Sequence, residues 1–235
     1  GEIPEDADCL LIYCPTVDLS EEEAQMVLDY LEGGGSVLIV PALTGESMPN
    51  FDTIYNNYGM SLANTLVLEG DTGYYYQVPY YLMPTVSSHT ITSPILENNI
   101  SLLLGSCQGI TISEDVRDTL TVSSLVTTSD AAYAKALTNG QLSTLEQEEG
   151  DAQGPFTVAA AATETVEDTE SHLVVIASQE LLAENIIEQF SVSNTDLFLN
   201  SLSWMCDHES SISISAKSLS TETLTMTAAE SRFWM

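Results

Sequence analysis

The chain mixes short, unbroken apolar runs with segments whose apolar positions fall three and four residues apart. Residues 8–14, DCLLIYC, and 36–40, SVLIV, are strand-length runs of the kind found in strands covered on both faces. Between them Ser20 stands three residues before Glu23, a capping box, and Glu21, Glu22 and Glu23 suit the positive end of a helix dipole. Ala24, Val27, Leu28 and Leu31 then share one helical face, and Gly33 ends the helix. Strand, helix and strand in this order predict a β-α-β unit with parallel strands and a right-handed crossover. A second helix is predicted over residues 49–58, with Phe51, Ile54, Tyr55 and Tyr58 as its apolar stripe and Gly59 as its stop.

Further along, residues 64–70, 102–113 and 120–129 read as extended runs, and a polar segment, 137–155, comes after them. Residues 156–163 and 172–178 flank the acidic turn ETVEDTES and predict an antiparallel hairpin. A helix is expected from about Gln179 to Phe190, and another from Asn194 to His208 with Leu199, Leu202 and Met205 inward. Residues 211–228 alternate with period two, as an outlying hairpin does. The whole reads as an α/β fold with a mostly parallel sheet and an antiparallel hairpin in its C-terminal half. Residues 1–210 form one domain in this reading, and 211–235 a hairpin tail.

Charge narrows the functional classes. The 235 residues hold 35 acids and 4 bases, a formal net charge of -31. Such a surface repels phosphate backbones and anionic membranes, so a nucleic-acid partner is not expected. No apolar run is long enough to span a bilayer. Arg232, Phe233 and Trp234 nevertheless resemble the aromatic belt that opens a transmembrane helix.

Candidate chemistry is sparse. Gly105-Ser106-Cys107-Gln108-Gly109 spells G-x-C-x-G, a nucleophile elbow with cysteine for serine. An elbow needs a helix after the nucleophile, yet Ile110-Thr111-Ile112-Ser113 has strand chemistry. None of the three histidines, His89, His172 and His208, stands in a pattern that marks it as the base, so Cys107 reads as structural. Cys9 and Cys14 lie five residues apart on one strand, roughly 16 Å, beyond disulfide reach. Gly33, Gly34 and Gly35 come after a helix rather than before one, so they terminate it and cradle no phosphate. Zinc spacing and EF-hand ligands are missing, and no metal or cofactor is expected. Two binding candidates remain. Asp18 comes after the first strand, at the edge where open α/β sheets place ligands. Tyr74, Tyr75, Tyr76, Tyr80 and Tyr81 crowd a segment rich in Gly and Pro that reads as a long loop.

The order of segments carries a resemblance. Residues 3–40, IPEDADCLLIYCPTVDLSEEEAQMVLDYLEGGGSVLIV, resemble the opening of the extracytoplasmic domain in gliding-motility type ABC transporter auxiliary components. PNFDTIYNNYGM, HTITSPI, LVTTS, and HLVVIAS leading to SNTDLFLNSLSWM, are similar to later segments of that family. The resemblance implies a three-layer α/β sandwich of the class I glutamine amidotransferase or flavodoxin type, without catalytic machinery. It implies a non-catalytic module on the extracytoplasmic face of a bacterial cell membrane. Its partners would be the ABC transporter permease and ATPase complex, and its contact with the membrane a helix beyond residue 235. Two alternatives stand beside it: a cysteine hydrolase or amidotransferase using Cys107, and a sugar- or polymer-binding module using residues 74–81.

Overall fold

The computed structural model describes residues 2–4, 6–137 and 140–206. The expected tail, 211–235, and the end of the last expected helix therefore lie outside the described residues. The elements run in chain order β1 (Leu10–Tyr13), α1 (Glu21–Glu32), β2 (Ser36–Val40), α2 (Pro49–Asn57), β3 (Met60–Leu62), β4 (Thr65–Leu68), β5 (Tyr81–Leu82), β6 (Thr85–Val86), α3 (Ser93–Asn98), β7 (Leu104–Gly105) and β8 (Ile110–Ile112). They continue with β9 (Leu120–Thr127), β10 (Tyr133–Ala136), β11 (Ala152–Gln153), β12 (Thr157–Val166), β13 (Thr169–Ile176), α4 (Glu184–Ile187) and α5 (Asn194–Met205).

The opening β-α-β unit forms as its pattern dictates. Ser20 Oγ accepts from the Glu23 amide and Glu23 returns a carboxylate to the Ser20 amide, closing both halves of the capping box. Ala24, Val27, Leu28 and Leu31 are buried against the sheet, and β1 pairs parallel with β2. The glycine run does structural work. Gly34 adopts φ +91°, and a Cβ on Gly35 would come within 2.5 Å of the Tyr30 ring.

The main sheet has eight strands in the order β1-β2-β13-β12-β8-β3, with β9 also paired to β12 and β6 to β9. It is mixed, not mostly parallel. Among the described residues only β1–β2 and β2–β13 are parallel, and the five other pairings of this sheet are antiparallel. The reason lies in the connections: parallel neighbours need a crossover, and β12 and β13 are joined by the two-residue turn Glu167-Asp168 with Glu167 at φ +56°. The described residues also form two smaller sheets, β11-β10-β4 and β5-β7.

Successive residues of the central strands feed opposite faces. Val37, Ile39, Ala160, Ala162, Leu173 and Val175 join α1 and α2 in one core. Leu38, Val40, Ala159, Ala161, Val174 and Ile176 join Leu197 and Met205 of α5 in the other. The four alanines of β12 are buried, Ala160 and Ala162 in the first core and Ala159 and Ala161 in the second, and truncating Leu38 of the second core to Ala is expected to cost about 3 kcal/mol.

Three further expectations change. β1 is not covered on both faces: it lies at the sheet edge and leaves Leu11 and Tyr13 exposed. The helix expected over 179–190 shortens to Glu184–Ile187: before it the chain makes tight turns, with the Leu181 amide donating to Ser178 O and the Ala183 amide to Glu180 O, three residues back rather than four. In α5 Met205 is buried and Leu202 half-buried against the core, as expected, with Leu197 and Ser201 buried beside them, whereas Leu199 is 49% exposed. The small Ser201 is tolerated inside because its hydroxyl donates to the Leu197 carbonyl at 2.7 Å.

Candidate functional site

The tyrosine segment is an ordered structure resting on its own backbone. The Glu69 amide donates to Pro79 O, Tyr76 N to Tyr81 O, and Met83 N to Tyr74 O, at 2.7–2.9 Å. Beneath it the buried Glu69 carboxylate accepts from the Ser129 and Asp71 amides. The segment is more structured than the expected loop: Tyr81 and Leu82 form β5, which pairs with β7.

Its rings do not act alike. Tyr74 and Tyr76 are exposed, while Tyr75, Tyr80 and Tyr81 are half-buried. Tyr80 and Tyr81 lie 5.0 Å apart between ring centroids. Tyr76 and Tyr81 face the α4 region, and with Gln77, Asn185, Gln189 and Phe190 they line a cleft of about 350 Å³. Tyr76 meets Phe190 edge-on at 5.0 Å, and Gln77 Nε2 donates to Tyr76 Oη at 3.0 Å. Burial raises the Tyr81 phenol above its usual range, reinforced by the neighbouring Glu180 carboxylate, while a bond from Asn185 works against it. Glu180 also accepts a 2.6 Å hydrogen bond from Ser106. The result is a concave surface of aromatic faces and side-chain amides, suited to ligands that stack and exchange hydrogen bonds.

Sequence reasoning missed Phe190, Asn185 and Gln189. Their spacing would have placed them on a regular helix, and only the tertiary structure sets the segment that carries them opposite the tyrosines.

Asp18 has a structural employment. Its carboxylate accepts from the Asn50 and Phe51 amides and from Asn50 Nδ2, at 3.0–3.2 Å. It thus serves the first turn of α2, whose own cap residue, Met48, offers no side-chain acceptor. Asp18 does not line the tyrosine cleft.

Cys107 is wholly buried, and burial pushes its thiol up to about 12. Ser106, at φ +50°, breaks the expected run over 102–113 into β7 and β8, which join different sheets. The turn leads into a strand, as the alternation of Ile110 to Ile112 predicts. Gly105 and Gly109 permit close packing: a Cβ on either would meet Tyr81 at 2.9 Å or Phe156 at 3.0 Å. His89 and His172 both pack against Trp204 of α5, at 5.2 and 4.3 Å between centroids. Burial also raises Cys206 to about 11, helped by a hydrogen bond with Cys9, and it raises Cys14. Among the described residues no group of three His, Cys, Asp or Glu side chains could hold a metal ion.

Both described cations are paired. Arg117 binds the Glu164 carboxylate, and Lys135 meets Glu148 at 2.7 Å and Asp151 at 2.9 Å. No described helix is long and apolar enough to cross a membrane.

No family model and no curated protein matches the chain. Among solved structures it is similar to one described as "mmIFT52 N-terminal domain", with a TM-score of 0.62 and 12% identity, over 86% of this chain and 78% of that one. The likeness is one of fold. It supports the mixed α/β architecture and, at that identity, carries no statement about chemistry.

Proposed function

We propose that this chain is a non-catalytic extracytoplasmic module of a membrane-anchored ABC transporter auxiliary subunit, at the outer face of a bacterial cell membrane. It binds partner subunits of the permease and ATPase complex, or a transported ligand, and the cleft between residues 76–81 and 185–190 is its contact surface. The observation that carries the reading is that cleft, with Tyr76, Tyr81 and Phe190 arranged around side-chain amides. The order of segments along the chain supports the family, and helices on both faces of the sheet accord with a three-layer, amidotransferase-like sandwich. The burial of Cys107 supports a role without thiol chemistry.

A second reading is favoured by the same lining. Aromatic faces beside Gln77, Asn185 and Gln189 suit a polyhydroxylated polymer, which stacks on rings and exchanges hydrogen bonds with amides.

The test places a photo-crosslinking phenylalanine analogue at Tyr76 in the full-length protein, in its own membrane. Covalent adducts with a permease subunit are expected. Adducts with a surface polymer would favour the second reading. No adduct at Tyr76, with the protein folded and present at the membrane, would overturn both.

A further inference from the structure

The turn that ends α3 carries an acceptor sequence for an asparagine-linked glycan. Asn99-Ile100-Ser101 reads N-x-S with no proline at the middle position. Among the chain's asparagines, Asn99 alone has a hydroxyl residue two positions on; its neighbour Asn98 has Ile100 there. The hydroxyl matters because a transferase reads it together with the asparagine side chain, so the pair distinguishes two adjacent asparagines that composition treats alike.

The structure presents this sequence to solvent. Asn99 closes α3 in left-handed backbone, φ 50° and ψ 40°, a conformation that Asn adopts more readily than most residues. Its backbone amide donates to Leu96 O at 3.2 Å, and the Ser101 carbonyl accepts from the Ser193 amide at 3.0 Å, so the backbone is tied on both sides of the turn. The side chains are not tied. Asn99 and Ser101 are both exposed, and neither the Asn99 carboxamide nor the Ser101 hydroxyl makes a hydrogen bond. Glu97, also exposed and two residues before Asn99, offers a carboxylate to a basic side chain of an approaching enzyme. Leu96, one turn before Asn99, is 43% exposed and supplies apolar surface that a glycan on Asn99 would cover.

We infer that Asn99 is the attachment site of an N-linked glycan. This chain is the substrate, and the donor is a glycan carried on a lipid diphosphate. Asn99 Nδ2 attacks the anomeric carbon of that glycan. The new N–C bond forms as the C–O bond to the diphosphate breaks. The lipid diphosphate leaves with the electron pair, and the amide proton passes to a base of the transferase. The inference rests on the proposed extracytoplasmic location, where such glycans are added, and not on the tyrosine cleft, which Asn99 does not line.

The test isolates the full-length protein from its own membranes and locates the modification by peptide mass spectrometry with electron-transfer fragmentation. In parallel, protease digestion of intact spheroplasts reports which side of the membrane the domain occupies. A glycan is expected on Asn99 and none on Asn98. Asn99→Gly, which keeps the left-handed turn, and Ser101→Ala should abolish it, whereas Ser101→Thr and Asn98→Gln should retain it. Glu97→Gln should lower the modified fraction, and an undiminished fraction would remove Glu97 from the acceptor sequence. An unmodified Asn99 in a domain digested from outside overturns the inference and leaves the proposed function standing. Protection of the domain from the protease overturns the proposed function, and the inference with it. A glycan on Asn98 instead, or one retained in Ser101→Ala, overturns the assignment to this sequence.

Discussion

The tyrosine segment and the cysteine turn are hydrogen-bonded neighbours, with Tyr81 opposite Gly105, yet they have opposite fates. The turn carries the sequence's most reactive-looking motif and seals its thiol completely. The tyrosine segment carries no catalytic motif and presents rings to a cleft, with Tyr76 37% exposed. The two are coupled, because Gly105 lacks a side chain just where the Tyr81 ring and Glu180 lie. A motif names residue types, whereas reactivity depends on which way the surrounding packing turns them.

The largest expected effect concerns the thiol itself. A rise from about 9 to about 12 lowers the thiolate fraction at neutral pH roughly a thousandfold, before any effect of access. Cys107 should therefore remain unlabelled by iodoacetamide, read by mass spectrometry, until the protein unfolds. Rapid labelling in the native state would erase the contrast between the two regions.

Next in size is Gly105→Val, which drives a branched side chain into Tyr81 and Glu180. Chemical denaturation should show a loss of about 1–3 kcal/mol, and crosslinking through Tyr76 should fall with it. Retained stability would mean that the two regions are not coupled through this contact.

Asp18→Ala removes the acceptor for the first amides of α2 and should cost about 1 kcal/mol, measured the same way, while leaving the tyrosine cleft unchanged. An undiminished stability would free Asp18 for a role in binding.

The smallest expected stability effect belongs to Tyr76→Ala, about 0.5–1 kcal/mol for the lost edge-on pair with Phe190, even though it removes one wall of the cleft. A large loss would instead make the ring structural, like the thiol beside it.

Much of the fold was legible because its signals are local. The capping box, the helical stripe from Ala24 to Leu31 and the β12–β13 hairpin each rest on a few adjacent residues, and all form as their patterns predict. The mostly parallel sheet was not legible, since strand direction depends on long-range pairing, and an apolar run such as DCLLIYC looks alike at a sheet edge and in its centre. Leu199 shows the same limit at the scale of one turn: an apolar residue at helical spacing turned outward, while Ser201 fitted the closer approach to the sheet.

By itself the sequence determined the strong negative charge, the start and stop of α1, the antiparallel pairing of β12 with β13, and the strand after Cys107, because charge, capping and alternation act between near neighbours. Only the tertiary structure decided the mixed sheet, the placement of Phe190 and Asn185 opposite the tyrosines, and the enclosure of Cys107. Each of these depends on residues dozens of positions apart meeting across a packed interior, where close packing and desolvation decide which groups face solvent.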